Sequence, residues 1–261
     1  MRKTIVPAAV LAFILAMAST SFAITWFPEE FTCPVDGQKN TFMVIGSYGS
    51  YIYSYPSKYQ WLFFPVTDSP AFYICKKCHL ATYMWDFDKL PKEKIPELKK
   101  ILASVKVSKS FDKYTDLSIA ERLEIMEKVY AALGKDDQWW EQFNRIKGYH
   151  YGKAGEVTKA AEARRKSLSL LTKKLSEPKA TPKKLLYYMS AAMKHFLEDD
   201  AGALADLQRA LETKYENAIE SADDQKSAEE GLNQRITDFI DRIKSEKDKP
   251  RFFDKFSTTE H

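Results

Sequence analysis

Tyr73-Ile74-Cys75-Lys76-Lys77-Cys78-His79-Leu80-Ala81 is the stretch that decides how this chain folds. Two cysteines separated by two residues let both thiolates reach one ion from a tight turn. A matching piece lies upstream, Cys33-Pro34-Val35-Asp36-Gly37. There Pro34 sets the bend and Gly37 permits a positive φ. Asp36 stands where the second ligand of such a turn belongs. The chain has three cysteines, an odd number, so a pure disulfide framework leaves one thiol over. The expected ligand set is therefore Cys33, Asp36, Cys75 and Cys78. Three sulfurs and one carboxylate oxygen suit tetrahedral zinc. His79 competes for the fourth place, but a residue adjacent to Cys78 normally turns its ring away from the same ion, so Asp36 is preferred.

The sequence around the cysteines predicts strands. Residues 60–66 are aromatic and β-prone, with Trp61, Phe63 and Phe64. Thr67-Asp68-Ser69-Pro70 reads as a turn, and residues 71–74 as a second short strand running into Cys75. A hairpin that delivers a cysteine turn is the plan of a zinc ribbon. The two turns lie about 39 residues apart, against about 15–20 in compact ribbons. Gly46-Ser47-Tyr48-Gly49-Ser50-Tyr51 reads as an inserted loop or extra strand.

Two other chemistries fit the same cysteines. Cys75, Cys78 and His79 spell the attachment motif of a c-type haem, with thioethers from both thiols and iron ligation by the histidine. Met84, His150 or His195 would supply the second axial ligand. Alternatively Cys75 and Cys78 cycle as a redox dithiol, with Lys76, Lys77 and His79 lowering a thiol pKa. The βαβ context of thioredoxin-like dithiols is missing from the pattern.

The chain opens with an export signal. Met1-Arg2-Lys3 is the positive region, residues 4–17 are apolar, and the stretch ends in Ser21-Phe22-Ala23. Residues 1–23 are expected to be removed before Ile24, leaving a periplasmic or extracellular protein with no membrane span. Retention of residues 4–23 as an anchor is the alternative. Export strengthens the metal reading, because an unbound thiol is a liability there. It also satisfies a precondition of haem attachment.

Composition marks a boundary. About half of the aromatics fall between Trp26 and Phe87, whereas Lys, Glu, Ala and Leu dominate after Lys89. The expected organisation is α+β, with a small β-rich metal-binding domain over 24–90, a helical domain over 91–245 and a charged tail over 246–261. With 40 basic and 36 acidic residues the net charge is +4, too balanced for a nucleic-acid footprint.

Helical spacing predicts helices over 117–133, with Gly134 as C-cap, and after a cap at Asp136 or Asp137. Others are predicted over 156–175, 183–197, 202–211 and 221–244. The last carries the stripe Leu232, Ile236, Phe239, Ile240 and Ile243. Gly148, Tyr151, Gly155 and Ala160 have the spacing of tetratricopeptide positions, and Ala191, Ala203, Leu207 and Ala210 fit a second copy. The copies lie about 43 residues apart rather than about 34. Such arrays bury a core between neighbours and offer a surface to a protein or peptide partner.

The order of a Cys-Pro-x-x-Gly turn, a Cys-x-x-Cys turn after an aromatic strand and a tetratricopeptide-like tail resembles the bacterial family called domain of unknown function family 2225. Cys33-Pro34-Val35-Asp36-Gly37, residues 73–81 and the helices up to Leu211 carry the resemblance. It implies a zinc-ribbon-like domain with two paired-cysteine turns. Asp36 here replaces a cysteine of that pattern, and His79 replaces a glycine. No Ser/His/Asp set, glycine-rich phosphate loop or distinct carboxylate pair stands out. The first expectation is thus a non-enzymatic, exported zinc protein with a helical interaction surface.

Overall fold

The computed structural model describes residues 25–47, 55–178, 182–217 and 221–246. The signal at 1–23, the tyrosines at 48 and 51 and the tail beyond 246 lie outside the described residues. The chain is α+β; the described residues form four strands in two small sheets followed by seven α-helices.

Each cysteine turn sits at the tip of its own antiparallel hairpin. Strands β1 (Thr25–Thr32) and β2 (Lys39–Ser47) flank the first, with Thr32 opposite Lys39. Strands β3 (Phe72–Ile74) and β4 (Ala81–Tyr83) flank the second, with Ile74 opposite Ala81. The two hairpins lock together through β2. Its inward residues are Asn40 and Phe42, and the Phe42 ring stacks on Tyr73 with centroids 4.1 Å apart. The Tyr73 hydroxyl donates to the Met43 carbonyl at 2.8 Å.

The strand expected at 60–66 is a series of turns, and its supposed partner pairs with β4 instead. The reason is visible in the acceptors. Arg145 donates to the carbonyls of Gln60 at 2.9 Å and Trp61 at 3.0 Å. His150 donates to the Val66 carbonyl at 2.8 Å. Helix side chains thus take the hydrogen bonds that a neighbouring strand would have supplied. Pro65 has no backbone donor to give a ladder.

The helices are α1 (Ile95–Leu102), α2 (Ile119–Leu133), α3 (Asp137–Lys153), α4 (Val157–Leu175), α5 (Lys183–His195), α6 (Asp200–Glu212) and α7 (Ala222–Glu246). The two predicted caps, Gly134 and Asp136, are found as such, and Ser118 is a third. Ser118 and Asp136 accept from the backbone N–H three residues on. Gly134 closes α2 at φ 68°, a conformation that favours glycine. Helix α3 pairs with α4 and α5 with α6, α4 joins the two pairs, and α7 covers α6 with Leu232, Ile236, Phe239 and Ile243 buried.

The first hydrophobic core runs from Cys33 through both hairpins to α1, α2 and α3, ending at Tyr149. The composition shift at Leu90-Pro91 falls inside it. Arg122 of α2 ties helix to sheet. Its guanidinium is fully buried and donates to the Ser69 and Phe72 carbonyls at 2.9 and 2.6 Å and to the Ser69 hydroxyl at 2.6 Å. Tyr114 does the same for the other hairpin. It accepts from Met43 N–H and donates to the Pro70 carbonyl. The second core lies among α4 to α7 and takes in Tyr59. Both hairpins are therefore anchored away from their tips, by Arg122 and Tyr114.

Candidate metal centre

The two turns have the same backbone. In the first, Gly37 N–H donates to the Cys33 carbonyl at 2.9 Å and Cys33 N–H to the Gln38 carbonyl at 2.8 Å. In the second, His79 N–H donates to the Cys75 carbonyl at 3.0 Å and Cys75 N–H to the Leu80 carbonyl at 2.9 Å. Gly37 and His79 both adopt a left-handed conformation, at φ 73° and 61°. His79 therefore fills the position that glycine fills in the first turn, at a steric cost for a residue with a Cβ. Asp36 and Cys78 occupy equivalent places three residues after the leading cysteine.

This symmetry brings Cys33, Asp36, Cys75 and Cys78 together, with one candidate ligand atom from each and all within 4.8 Å of one another. Cys33 Sγ stands 3.5 Å from Cys78 Sγ. Cys75 Sγ lies 3.7 and 3.8 Å from the two Asp36 carboxylate oxygens. With metal–sulfur bonds of about 2.3 Å and a metal–oxygen bond of about 2.0–2.2 Å, the edges of a tetrahedral zinc site run about 3.5–3.8 Å. The donor set and its spacing fit that ion. No disulfide links the cysteines.

Electrostatics point the same way. Hydrogen bonds from Cys33, then from Cys78, hold the Cys75 thiol well below the usual thiol range. The same sharing pushes Cys33 up to about 12, first through its hydrogen bond with Cys75. It also pushes Cys78 upward, first through Cys33. One negative charge is favoured in the cluster and further ones are resisted, and a bound cation would offset that resistance.

A second layer fixes the ligands. Asp36 Oδ1 accepts from Gln38 N–H at 3.0 Å, which sets its rotamer. Asn40, buried at the foot of β2, donates to the Gln38 carbonyl at 2.9 Å and lies 3.6 Å from Cys75 Sγ. Its Oδ1 accepts from Lys76 N–H at 3.0 Å. Asn40 thus bridges the two turns, and the cysteine spacing gave no sign of it. The available signal was a polar residue on the inward face of an alternating strand.

The other residues weighed from the sequence lie apart from the cluster. The His79 ring packs near Phe111, with centroids 6.3 Å apart. His150 is buried against Phe72 and the Val66 carbonyl. His195 pairs with Asp200 at 2.8 Å in the second core. Met84 packs against the first core. On the open side, Asp36 and Cys78 are only half-buried, and a hollow of about 470 Å³ lined also by Lys77, His79 and Lys99 leads to them. Among the described residues no helix is long and apolar enough to cross a membrane. In comparisons with known proteins, no family model, curated protein or solved structure matches this chain.

Proposed function

We propose that this is an exported, non-enzymatic zinc protein in which the metal is structural. The observation that carries the reading is the convergence of Cys33, Asp36, Cys75 and Cys78 from two hairpin tips at the edge lengths of a zinc tetrahedron. Four protein ligands fill that geometry, and a catalytic zinc keeps one position for water or substrate. The ion would join two hairpins that already pack on one another through Phe42 and Tyr73, and a crosslink between hairpins is the work of a structural site.

On the same ground we assign the hairpins a zinc-ribbon-like plan and kinship with domain of unknown function family 2225. The matched turns support both. Tetratricopeptide-like pairing of α3 with α4 and α5 with α6 is supported by the small residues between them. A Cβ on Gly148 would stand 2.8 Å from Arg164 Cγ, and Ala191, Ala203, Leu207 and Ala210 are fully buried. A cleft of about 740 Å³ between the 61–66 turns and helices α3 to α5 is the place for a protein or peptide partner. Trp61, Phe63, Phe64 and the exposed Trp85 line it, and aromatic side chains of this kind anchor protein interfaces.

Metal analysis with an absorption spectrum tests the assignment. Protein from an export-competent host with haem maturation is expected to be colourless and to carry one zinc per chain. An intense, sharp haem band would overturn the zinc reading in favour of attachment at Cys75 and Cys78. A metal-free protein with a reducible Cys75–Cys78 disulfide would favour the dithiol.

A further inference from the structure

The four ligands differ in their access to solvent. Cys33 and Cys75 are 1% and 0% exposed, whereas Cys78 is half-buried on the side of the hollow beside Lys77, His79 and Lys99. They also differ in their neighbours. The Cys78 sulfur faces Cys33 at 3.5 Å. The Cys75 sulfur, besides its contacts with Cys33 and Cys78, is also engaged by the Asp36 carboxylate and Asn40.

Resting on the metal reading, we propose that Cys78 is a site of oxidation by hydrogen peroxide and that Cys33 resolves it into a Cys33–Cys78 disulfide, which expels the metal. Oxidation of cysteine follows thiolate character and access. A zinc-bound sulfur is a thiolate, and of the three only Cys78 opens toward solvent. The lysines around the hollow favour an anion leaving from it. In the first step the Cys78 thiolate attacks one peroxide oxygen. The O–O bond breaks, hydroxide leaves and takes a proton to become water, and Cys78 becomes a sulfenic acid. In the second step the Cys33 thiolate attacks the Cys78 sulfur. The S–S bond forms, the S–O bond breaks, and a second water leaves after taking up a proton. Two thiols lose two electrons and the peroxide gains them.

A disulfide is about 2.0 Å long, so the two sulfurs have roughly 1.5 Å to close. Zinc then keeps only Cys75 and Asp36 and dissociates. The bond formed spans the same two hairpins that the metal joined. Oxidation thus exchanges a metal crosslink for a covalent one.

The sequence makes the pairing easy to read. Trypsin cuts after Lys76 and Lys77, so Cys75 and Cys78 fall on different peptides, and Cys33 lies on a third. The full zinc-loaded chain is treated with hydrogen peroxide, zinc release is followed with a chromogenic chelator, and non-reduced tryptic peptides are mapped. The expected result is one Cys33–Cys78 disulfide per zinc released, with Cys75 open to alkylation. Cys33→Ser is expected to accumulate sulfenic acid at Cys78, trapped by dimedone. Cys75→Ser, with or without metal, is expected to form the same disulfide. A dominant Cys75–Cys78 or Cys33–Cys75 bond, in wild type or in the metal-free protein, would overturn the proposal. Protein that arrives without zinc refutes the metal reading separately, and the mapped pairing still decides this one.

Discussion

Replacing Asp36 separates the turn hydrogen bond it makes from the ligand role proposed for it. Its carboxylate lies 3.7 and 3.8 Å from Cys75 Sγ, at the ligand position, and its Oδ1 accepts from Gln38 N–H at 3.0 Å. Asp36→Asn keeps an acceptor for Gln38 but removes the charge, whereas Asp36→Ala removes both. Structural zinc sites contribute about 10–16 kcal/mol in apparent binding free energy, or about 3 kcal/mol for each of four ligands. A loss of about 3 kcal/mol lowers affinity by about two orders of magnitude. Asp36→Ala should show that loss, with about 1 kcal/mol of additional destabilisation from the missing turn hydrogen bond. Asp36→Asn should lose about tenfold, because a neutral amide oxygen is a weaker ligand than a carboxylate. Asp36→Cys should bind tighter than wild type, since the fourth donor becomes a thiolate. Competition titration against a zinc chelator of known affinity reads all three. An unchanged affinity and stoichiometry in Asp36→Ala would refute the reasoning, because the fourth ligand would then be another group.

Three further outcomes follow from the same structure. His79→Gly should keep one zinc per chain and raise thermal stability, by about 1 kcal/mol, because a left-handed backbone no longer carries a Cβ. Loss of zinc in that variant, measured by metal analysis, would contradict the placement of His79 outside the ligand set. His150 has its pKa lowered to about 3, first by burial and then by Lys153 and Arg122, against a bonding contribution from Val66 that raises it. Its folded value lies below the unfolded value of about 6.5, so its contribution is intact above pH 6.5 and is lost as pH falls from there toward 3. Between pH 7.5 and 5 that amounts to about 2 kcal/mol. Urea denaturation at both pH values should show a smaller loss in His150→Gln by about this amount, and equal losses would refute it. Arg122→Ala strands the Ser69 and Phe72 carbonyls in the core. It should cost about 3 kcal/mol or more, read as a fall in the denaturation midpoint, and a neutral result would refute the clamp.

The sequence showed the candidate ligands and most of the helices, for physical reasons that differ. The ligands were legible because a metal turn needs cysteines at fixed spacing, so Cys33, Asp36, Cys75 and Cys78 stood out by position alone. Helix ends were legible because caps are local. Gly134 and Asp136 act within one turn of their own helix. Of the strands, the expected segment 71–74 is found as β3; the others were not legible, because a strand is defined by its partner. Residues 60–66 have the aromatic content of a strand, but Pro65 counts against it, and Arg145 and His150, about 85 residues away, take the segment's carbonyls. Strands β1, β2 and β4 escaped notice because each is read only against the turn it flanks. Pro28 within β1 further masks it. Arg122 and Asn40 were equally hidden, since nothing local marks a buried polar residue whose partners lie on another element.

The most direct test of the account is X-ray absorption at the zinc edge on protein isolated from an export-competent host. The account predicts one zinc with three sulfur neighbours at about 2.3 Å and one oxygen neighbour at about 2.0–2.2 Å, and a loss of one sulfur in Cys78→Ser. A zinc surrounded only by nitrogen and oxygen, or no zinc above trace level in a folded protein, would contradict it.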